Sequence, residues 1–124
     1  MGWDPDSVPD PQDPQTFQRS KLDWSEPEGG HHAALLDLHK RLILLRRTLP
    51  ELTDPRFTTI AAVADEAAGT LVLRRGDVVV AVNLGRAEAT VEAAGALVLR
   101  TADGVAVDGG VLTLPADSAA VLAG

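Results

Sequence analysis

The stretch Thr70-Leu-Val-Leu-Arg-Arg-Gly-Asp-Val-Val-Val-Ala-Val-Asn-Leu84 decides the fold class of this 124-residue chain. Two runs of β-branched and aliphatic residues, Thr70–Arg75 and Val78–Leu84, lie on either side of the turn residues Gly76 and Asp77, which predicts a tight hairpin. Val78–Val82 is apolar at every position, which is typical of a central strand covered on both faces. The hairpin therefore predicts an antiparallel sheet with a buried middle.

The same pattern continues through the whole chain after Pro55. Short apolar runs alternate with turn residues such as Ala68-Gly69 and Gly109-Gly110, so we predict a small antiparallel β-sandwich. The predicted strands are Phe57–Val63, Thr70–Arg75, Val78–Leu84, Ala89–Glu92, Ala96–Arg100, Gly104–Val107, Val111–Leu114 and Ala119–Leu122.

The segment before the predicted sandwich has a different spacing of apolar residues. Between His31 and Leu49 leucines recur at steps of three and four, which predicts an amphipathic helix that covers one side of the sandwich. Basic residues crowd the second half of this segment, where they oppose the negative end of the helix dipole, and Pro50 ends it. The stripe consists of Leu35, Leu38, Leu42, Leu45 and Leu49, and Leu36, Ile43 and Leu44 widen the apolar surface beyond it.

Residues 1–30 differ in composition from both the predicted helix and the predicted sandwich. They contain five prolines, seven acids and two bases, so their net charge is 2 − 7 = −5, and we predict a loop or extended arm without helix or central strand. Trp3, Phe17 and Trp24 are three of the four aromatic residues in the chain. Because aromatic side chains gain most from burial, we expect the arm to dock on a partner surface.

Composition excludes several classes of function. The chain has no cysteine, which excludes disulfides and thiolate chemistry, and its 18 acids against 11 bases argue against nucleic-acid binding. The longest apolar runs are five residues, far below the roughly 20 of a membrane span. The first 20 residues also lack the basic-then-apolar order of a signal peptide, so we predict a soluble, cytoplasmic protein.

No constellation of polar residues predicts catalysis. The acids after the helix fall mostly in predicted turns, where turn formation explains them, and the serines lack a nucleophile elbow. His32 and His39 share a helical face, but we assign them to the surface or to packing, and we predict no metal and no cofactor. The turn acids are Asp65, Glu66, Asp77, Asp103, Asp108 and Asp117.

The segment Val8-Pro-Asp-Pro-Gln-Asp-Pro-Gln-Thr-Phe-Gln-Arg-Ser-Lys-Leu-Asp-Trp24 resembles the end of the catalytic barrel in malto-oligosyltrehalose trehalohydrolases, α-amylase-type glycoside hydrolases that release trehalose from maltooligosyl trehalose. Arg41-Leu-Ile-Leu-Leu-Arg-Arg47 is similar to the last barrel helix of this superfamily, although His39 stands where relatives commonly carry an aromatic residue. Val78–Leu84 and Leu114–Ser118 resemble strands of the family's C-terminal sandwich.

This resemblance implies a mainly β fold with one α-helix. Residues 1–30 are then a Pro-rich arm from the end of the (β/α)8 barrel, 31–49 the last barrel helix, and 50–124 an all-β domain of the amylase C-terminal type. The family's catalytic carboxylates lie on earlier barrel strands, so the resemblance implies an inactive C-terminal portion with a structural role and the barrel as its partner.

An accessory module that binds α-glucans is the alternative. Aromatic rings stack on the apolar faces of sugars, and the arm supplies most of the aromatic residues. The candidate contacts to an α-glucan or to maltooligosyl trehalose are Trp3, Gln12, Asp13, Phe17 and Trp24.

Overall fold

The computed structural model describes residues 8–124, which divide into two compact units with the boundary after Leu36. Helix α1 is Pro14–Arg19 and helix α2 is Gly30–Thr48, and short 3-10 turns span Glu26–Glu28, Pro50–Leu52 and Phe57–Thr59. The strands are β1 (Ile60–Asp65), β2 (Thr70–Arg75), β3 (Val78–Asn83), β4 (Ala89–Glu92), β5 (Ala96–Arg100), β6 (Ala106–Asp108), β7 (Val111–Leu114) and β8 (Ser118–Ala123).

The first unit corrects the prediction that the arm contains no helix. Pro14 occupies the start of α1, where its missing N–H would have no intrahelical acceptor in any case. The Asp13 carboxylate caps the same end by accepting a hydrogen bond from the Gln15 backbone N–H at 2.9 Å. The prolines therefore position a short helix instead of preventing one.

Helix α2 confirms the predicted amphipathic helix to within one residue at each end. Leu38, Leu45 and Leu49 pack against a buried cluster formed by Val78, Leu99 and Val121 of the sandwich. Leu42, predicted on the same stripe, stays exposed. The second half of α2 thus covers one face of the large sheet, as the leucine spacing predicts.

The sandwich consists of two antiparallel sheets. The larger has the strand order β1-β2-β3-β8-β5 and the smaller has the order β4-β7-β6. The β2–β3 hairpin is confirmed, with Arg75 opposite Val78 and Gly76 in the left-handed region at φ +57°. β1 begins at Ile60 because Phe57–Thr59 coils into a 3-10 turn, and β6 is Ala106–Asp108, two residues later than its predicted start.

The two faces of β3 explain why this strand is apolar throughout. Val79 and Ala81 face the small sheet and lie in the main core with Leu112, Leu114 and Leu122. Val78 and Val80 point the other way and pack with the α2 leucines. β3 is therefore the shared wall of two apolar layers, as predicted for a central strand.

In the part of the chain from residue 8 onward, no helix is long and apolar enough to cross a membrane.

Candidate functional site

The polar candidates of the arm make local backbone contacts. The Gln12 backbone N–H donates to the Asp10 carboxylate at 2.9 Å, and the Asp13 carboxylate caps α1. Both residues are exposed at the entry of the helix. The position of Asp13 has a structural cause, since a short side-chain acceptor is favoured before the first helical residue.

The aromatic candidates in the described residues are strongly exposed. Phe17 is 63% exposed on α1, with the Lys21 ammonium nitrogen 4.9 Å from the centre of its ring. Trp24 is 83% exposed in the turn that leads to Glu26–Glu28. Trp3 lies outside the described residues. Two large rings in this unit are thus accessible to a ligand or to a neighbouring surface.

A second candidate surface is the side of α2 turned away from the sandwich. Ile43 is 53% exposed and Leu44 is 59% exposed, although Leu45 beside them packs into the sandwich. Leu36, on the earlier part of the helix, is exposed as well. Large aliphatic side chains clustered on an exposed helix face mark a contact surface more often than scattered single ones do.

Asn83 is a buried polar residue whose importance was missed in the sequence. Its side-chain Nδ2 lies 2.8 Å from the Ala87 carbonyl oxygen, 2.9 Å from that of Leu114 and 3.0 Å from that of Pro115. Its Oδ1 accepts a hydrogen bond from the Gly85 N–H at 2.8 Å. Asn83 therefore holds the β3–β4 loop against the end of β7, and the signal was an amide ending an otherwise apolar strand.

The segment between α2 and β1 is held by charged groups. The Arg75 guanidinium donates to the carbonyl oxygens of Leu52 and Asp54. The Arg56 guanidinium donates to the Asp54 carboxylate at 2.7 Å, and mainly this hydrogen bonding lowers the pKa of Asp54 from 3.8 to about 2. Arg56 is in turn held protonated, because the same carboxylate raises its pKa. This cluster fixes the connection between helix and sandwich.

The sandwich itself offers a shallow open cleft. It has a volume of about 350 Å³ between the β1–β2 side of the large sheet and β4, and its wall combines Val63, Val72 and Val91 with polar side chains. No aromatic ring lines it, so it lacks the usual stacking platform for a sugar. Among residues 8–124 no three histidine, aspartate or glutamate side chains gather closely enough to hold a metal ion.

These features define a β-sandwich with one helix packed against it. A comparison with known protein families finds a match to this region. Residues 55–121 match the model of a family described as a domain of unknown function, DUF3459, and the chain belongs to that family.

The similar curated proteins are enzymes of one name. The chain is 53% identical over 123 residues to the malto-oligosyltrehalose trehalohydrolase of Brevibacterium helvolum, which covers 98% of this chain and 21% of the enzyme. Identity to the enzyme of the same name from Rhizobium sp. (strain M-11) is 50%, with the same coverage. The chain thus spans about a fifth of the length of these relatives. The resemblance noted in the sequence is confirmed, and the matches fit a C-terminal portion.

A comparison with solved structures gives a similar result. A Salmonella typhimurium protein named as an alpha amylase matches 94% of this chain over 20% of its own, with a TM-score of 0.71 and 27% identity. The predicted fold class, a mainly β C-terminal domain of the amylase type with one principal helix, is confirmed.

Proposed function

We propose that this chain is the C-terminal structural part of an enzyme that releases trehalose from maltooligosyl trehalose. In this proposal residues 1–30 form an arm at the end of a (β/α)8 barrel, 31–49 form its last helix, and 50–124 form the all-β domain. The sandwich stabilises the barrel by holding α2 in place, and it takes no part in catalysis. That the protein is cytoplasmic remains a prediction from the sequence.

The two-sided helix α2 is the observation that supports this proposal. Leu38, Leu45 and Leu49 join it to the sandwich, and Ile43 and Leu44 remain available to a second body. A helix that is apolar beyond one stripe needs burial on more than one side. In this proposal the barrel supplies such a second body, because barrel helices pack inward against the strands.

The setting of the carboxylates supports an inert role for this part. Retaining glycosidases hold two carboxyl groups about 5 Å apart across the scissile bond. Here Asp13 caps a helix, Asp54 is bound to Arg56, and the Asp65 carboxylate accepts hydrogen bonds from two backbone N–H groups of its own turn. Each of these acids has a local structural task.

Complementation tests the proposal. The barrel portion of the Brevibacterium helvolum relative is produced alone and together with this chain, and trehalose release and thermal inactivation are measured. We expect the pair to keep activity after heating at a temperature that inactivates the barrel alone, because a partner that binds the folded state stabilises it. A barrel whose activity and inactivation are unaffected by the chain would contradict the structural role.

Variants of this chain locate the contact. We expect Ile43→Glu and Leu44→Glu to remove the protection of the barrel, because each places a charge in an apolar contact. Leu84→Glu is the matched control, since it changes a side chain of equal size that is 71% exposed on a loop of the sandwich. Equal loss of protection in all three variants would argue against the helix as the docking element.

A second candidate function is binding of an α-glucan through the arm, which the exposure of Phe17 and Trp24 favours. Trp3, Gln12 and Asp13 complete this proposed contact set. We expect Trp24→Ala and Phe17→Ala to lower retention of the chain on immobilised amylose, because ring stacking supplies most of such binding. Phe57→Ala, at a ring that is 86% exposed outside the arm, is the control. Absence of retention in the parent chain would exclude this function.

A further inference from the structure

The inner face of β1 extends beyond the small sheet. Across the sandwich β6 lies against β5 and β7 lies against β8, and the Arg74 guanidinium of β2 donates to the Glu92 carbonyl oxygen of β4 at 3.1 Å. The three strands of the small sheet thus lie opposite the part of the large sheet from β5 to β2, and β1 is the outermost strand beyond it. Val63 of β1 pairs with the core-facing Val72, so it faces inward, and yet it is 67% exposed.

This inner face of β1 and β2 is the floor of the open cleft of about 350 Å³. Val63 and Val72 lie opposite each other in the floor, and Asp65 lies opposite Thr70. Because a strand rises about 3.3 Å per residue, Arg74 is about 13 Å from Thr70 along β2, with Val72 midway. The floor therefore has a cation at one end, a carboxylate at the other end and two valines between them.

Strand β4 forms the wall of the cleft with its free edge. The Ala93 N–H donates to the Gly110 carbonyl oxygen, and the bonded residues alternate along an antiparallel pair. The N–H and C=O groups of Thr90 and Glu92 therefore point away from β7. The bond from the Arg74 guanidinium to the Glu92 carbonyl oxygen agrees with this phase, because it reaches β4 from the large sheet.

Three of these four backbone groups have no hydrogen-bond partner among the described residues. They are the N–H and C=O groups of Thr90 and the N–H group of Glu92, whereas the Glu92 carbonyl oxygen accepts from Arg74. Free donors and acceptors on a strand edge, beside pockets for alternate side chains, are the features through which a sheet binds an extended peptide.

The direction of β4 follows from its two ends. Glu92 lies beside Arg74, and Ala89 lines a cavity together with the β1–β2 turn that follows Asp65. β4 therefore runs from the Asp65 end of the floor to the Arg74 end. An antiparallel neighbour of β4 runs the opposite way.

We propose that the cleft binds an extended segment of another protein, which adds to β4 as an antiparallel strand. In such a strand alternate side chains point to the floor, and the first and fifth residues are about 13 Å apart. An acidic first residue then lies beside Arg74 and a basic fifth residue lies beside Asp65. An aliphatic third residue covers the two valines.

The charges of the floor and the sequence of the chain both indicate a separate protein as the partner. Opposite charges at the two ends fit a segment with an acid before a base and repel a segment of one sign. No five-residue window of this chain has an acid, an aliphatic residue and a base at its first, third and fifth positions. Asp37–Arg41 has the two charges, but His39 is its third residue. This inference is independent of the proposed function.

Peptide titration is the first test, followed by the backbone amide NMR signals of the 124-residue chain. The probe is a peptide with blocked termini and the sequence glutamate-threonine-valine-threonine-lysine. Because the contact is small, we expect a dissociation constant of the order of 1 mM, with shifts of the Thr90 and Glu92 signals. The peptide with glutamate and lysine exchanged should bind at least threefold more weakly.

Three results of this titration would overturn the proposal. One is the absence of shifts at Thr90 and Glu92 with peptide up to about 5 mM. Another is equal affinity for the two peptides, which contradicts the direction of the strand. The third is a set of shifts confined to Ile43 and Leu44, which assigns the contact to helix α2.

Methylated peptides test the backbone hydrogen bonds without changing the chain. In the proposed register the second threonine of the peptide donates its N–H to the Thr90 carbonyl oxygen, so we expect N-methylation there to abolish binding. The N–H of the peptide valine points away from β4, and its N-methylation is the matched control. Equal effects of the two methylations would rule out strand addition.

A charge-reversal variant tests the end of the floor. We expect Arg74→Glu to weaken binding of the probe peptide about fivefold, and a peptide with lysine in place of its glutamate to bind this variant better than the probe does. Arg46→Glu, at an exposed arginine of α2, is the control and should bind the probe like the parent chain. Circular dichroism checks that both variants fold. Unchanged affinity of folded Arg74→Glu for both peptides would contradict the proposed contact.

Discussion

Single polar residues hold the loops of this domain against its strands. Asn83 is fully buried, and its amide serves carbonyl groups of two separate segments, the β3–β4 loop and the end of β7. Its neighbour Gly85 has no space for a side chain, because a Cβ there would lie 2.6 Å from the Ala68 carbonyl oxygen. An amide and a glycine thus fix how closely two loops approach.

We predict that Asn83→Ala lowers the free energy of unfolding by about 3 kcal/mol, because it leaves buried carbonyl groups without donors. Urea unfolding measures this change. Leu84→Ala, beside it and exposed, should change the free energy by less than about 0.5 kcal/mol. Equal effects of the two variants would show that the amide hydrogen bonds contribute little.

Asp54 gives the stability a pH dependence of known sign. Its pKa is lowered from 3.8 to about 2 in the folded chain, so its contribution to stability is complete above about pH 4 and is lost as the pH falls through about 2. We therefore predict that the stability advantage of the parent chain over Asp54→Asn shrinks between pH 4 and 2 and is constant from pH 5 to 7. Thermal unfolding of both proteins across this range is the measurement, and a constant difference throughout would contradict the assignment.

At the scale of elements, helix α2 shows how far the spacing of leucines in the sequence predicts packing. Its leucine spacing predicts the face that meets the sandwich, and Leu38, Leu45 and Leu49 lie there. The same helix shows why spacing is insufficient. Leu42 fits the stripe and yet stays exposed. At about 100° of rotation per residue it lies about 40° around the helix from Leu38, whereas Leu45 and Leu49 lie within about 20° of Leu38.

Leu45 and Leu44 form a matched pair for testing this contact. We predict that Leu45→Ala lowers the free energy of unfolding by about 2 kcal/mol, through lost burial and the space left behind. Leu44→Ala, whose side chain is 59% exposed, should cost less than about 0.5 kcal/mol. Chemical denaturation of both variants measures these changes in the free energy of unfolding. Equal losses would mean that α2 meets the sandwich through a different face.

At the scale of the whole molecule, the described part of the chain exposes an apolar face on the side of α2 turned away from the sandwich. Aliphatic side chains gathered on one exposed helix face suit contact with a packed protein body. This face predicts a protein partner, and substitutions at Ile43 and Leu44 test it without changing the leucines that pack on the sandwich.

We predict that the purified chain releases no trehalose from maltooligosyl trehalose at any pH. A retaining mechanism needs an acid and a nucleophile held about 5 Å apart on rigid elements. Among the described acids, Asp13 caps a helix and Asp65 bonds the backbone of its own turn. A trehalose assay from pH 4 to 8 is the measurement, with the Brevibacterium helvolum relative as positive control. Activity that disappears on substitution of one acid in this chain would disprove the prediction.

The sequence by itself determined the elements whose signals are local. The leucine period, the β-branched runs and the Gly-Asp turn depend on neighbours within a few residues, and α2, β2 and the β2–β3 hairpin follow them closely. The family resemblance was also contained in the Val8–Trp24 segment and in the helix. The start of α1 was missed because five prolines were interpreted as breaking helices, although Pro14 stands where a helix tolerates proline.

Only the tertiary structure decided which strands pair across the chain and which residues become buried. The strand order β1-β2-β3-β8-β5 joins segments that are far apart in sequence, and no local pattern encodes that order. Asn83 and Arg75 gain their roles because distant carbonyl groups reach them. β1 lies at the edge of the large sheet because, among the described strands, it pairs with β2 on one side. Local propensity acts over a few residues, whereas these features depend on contacts that form only when the chain has folded.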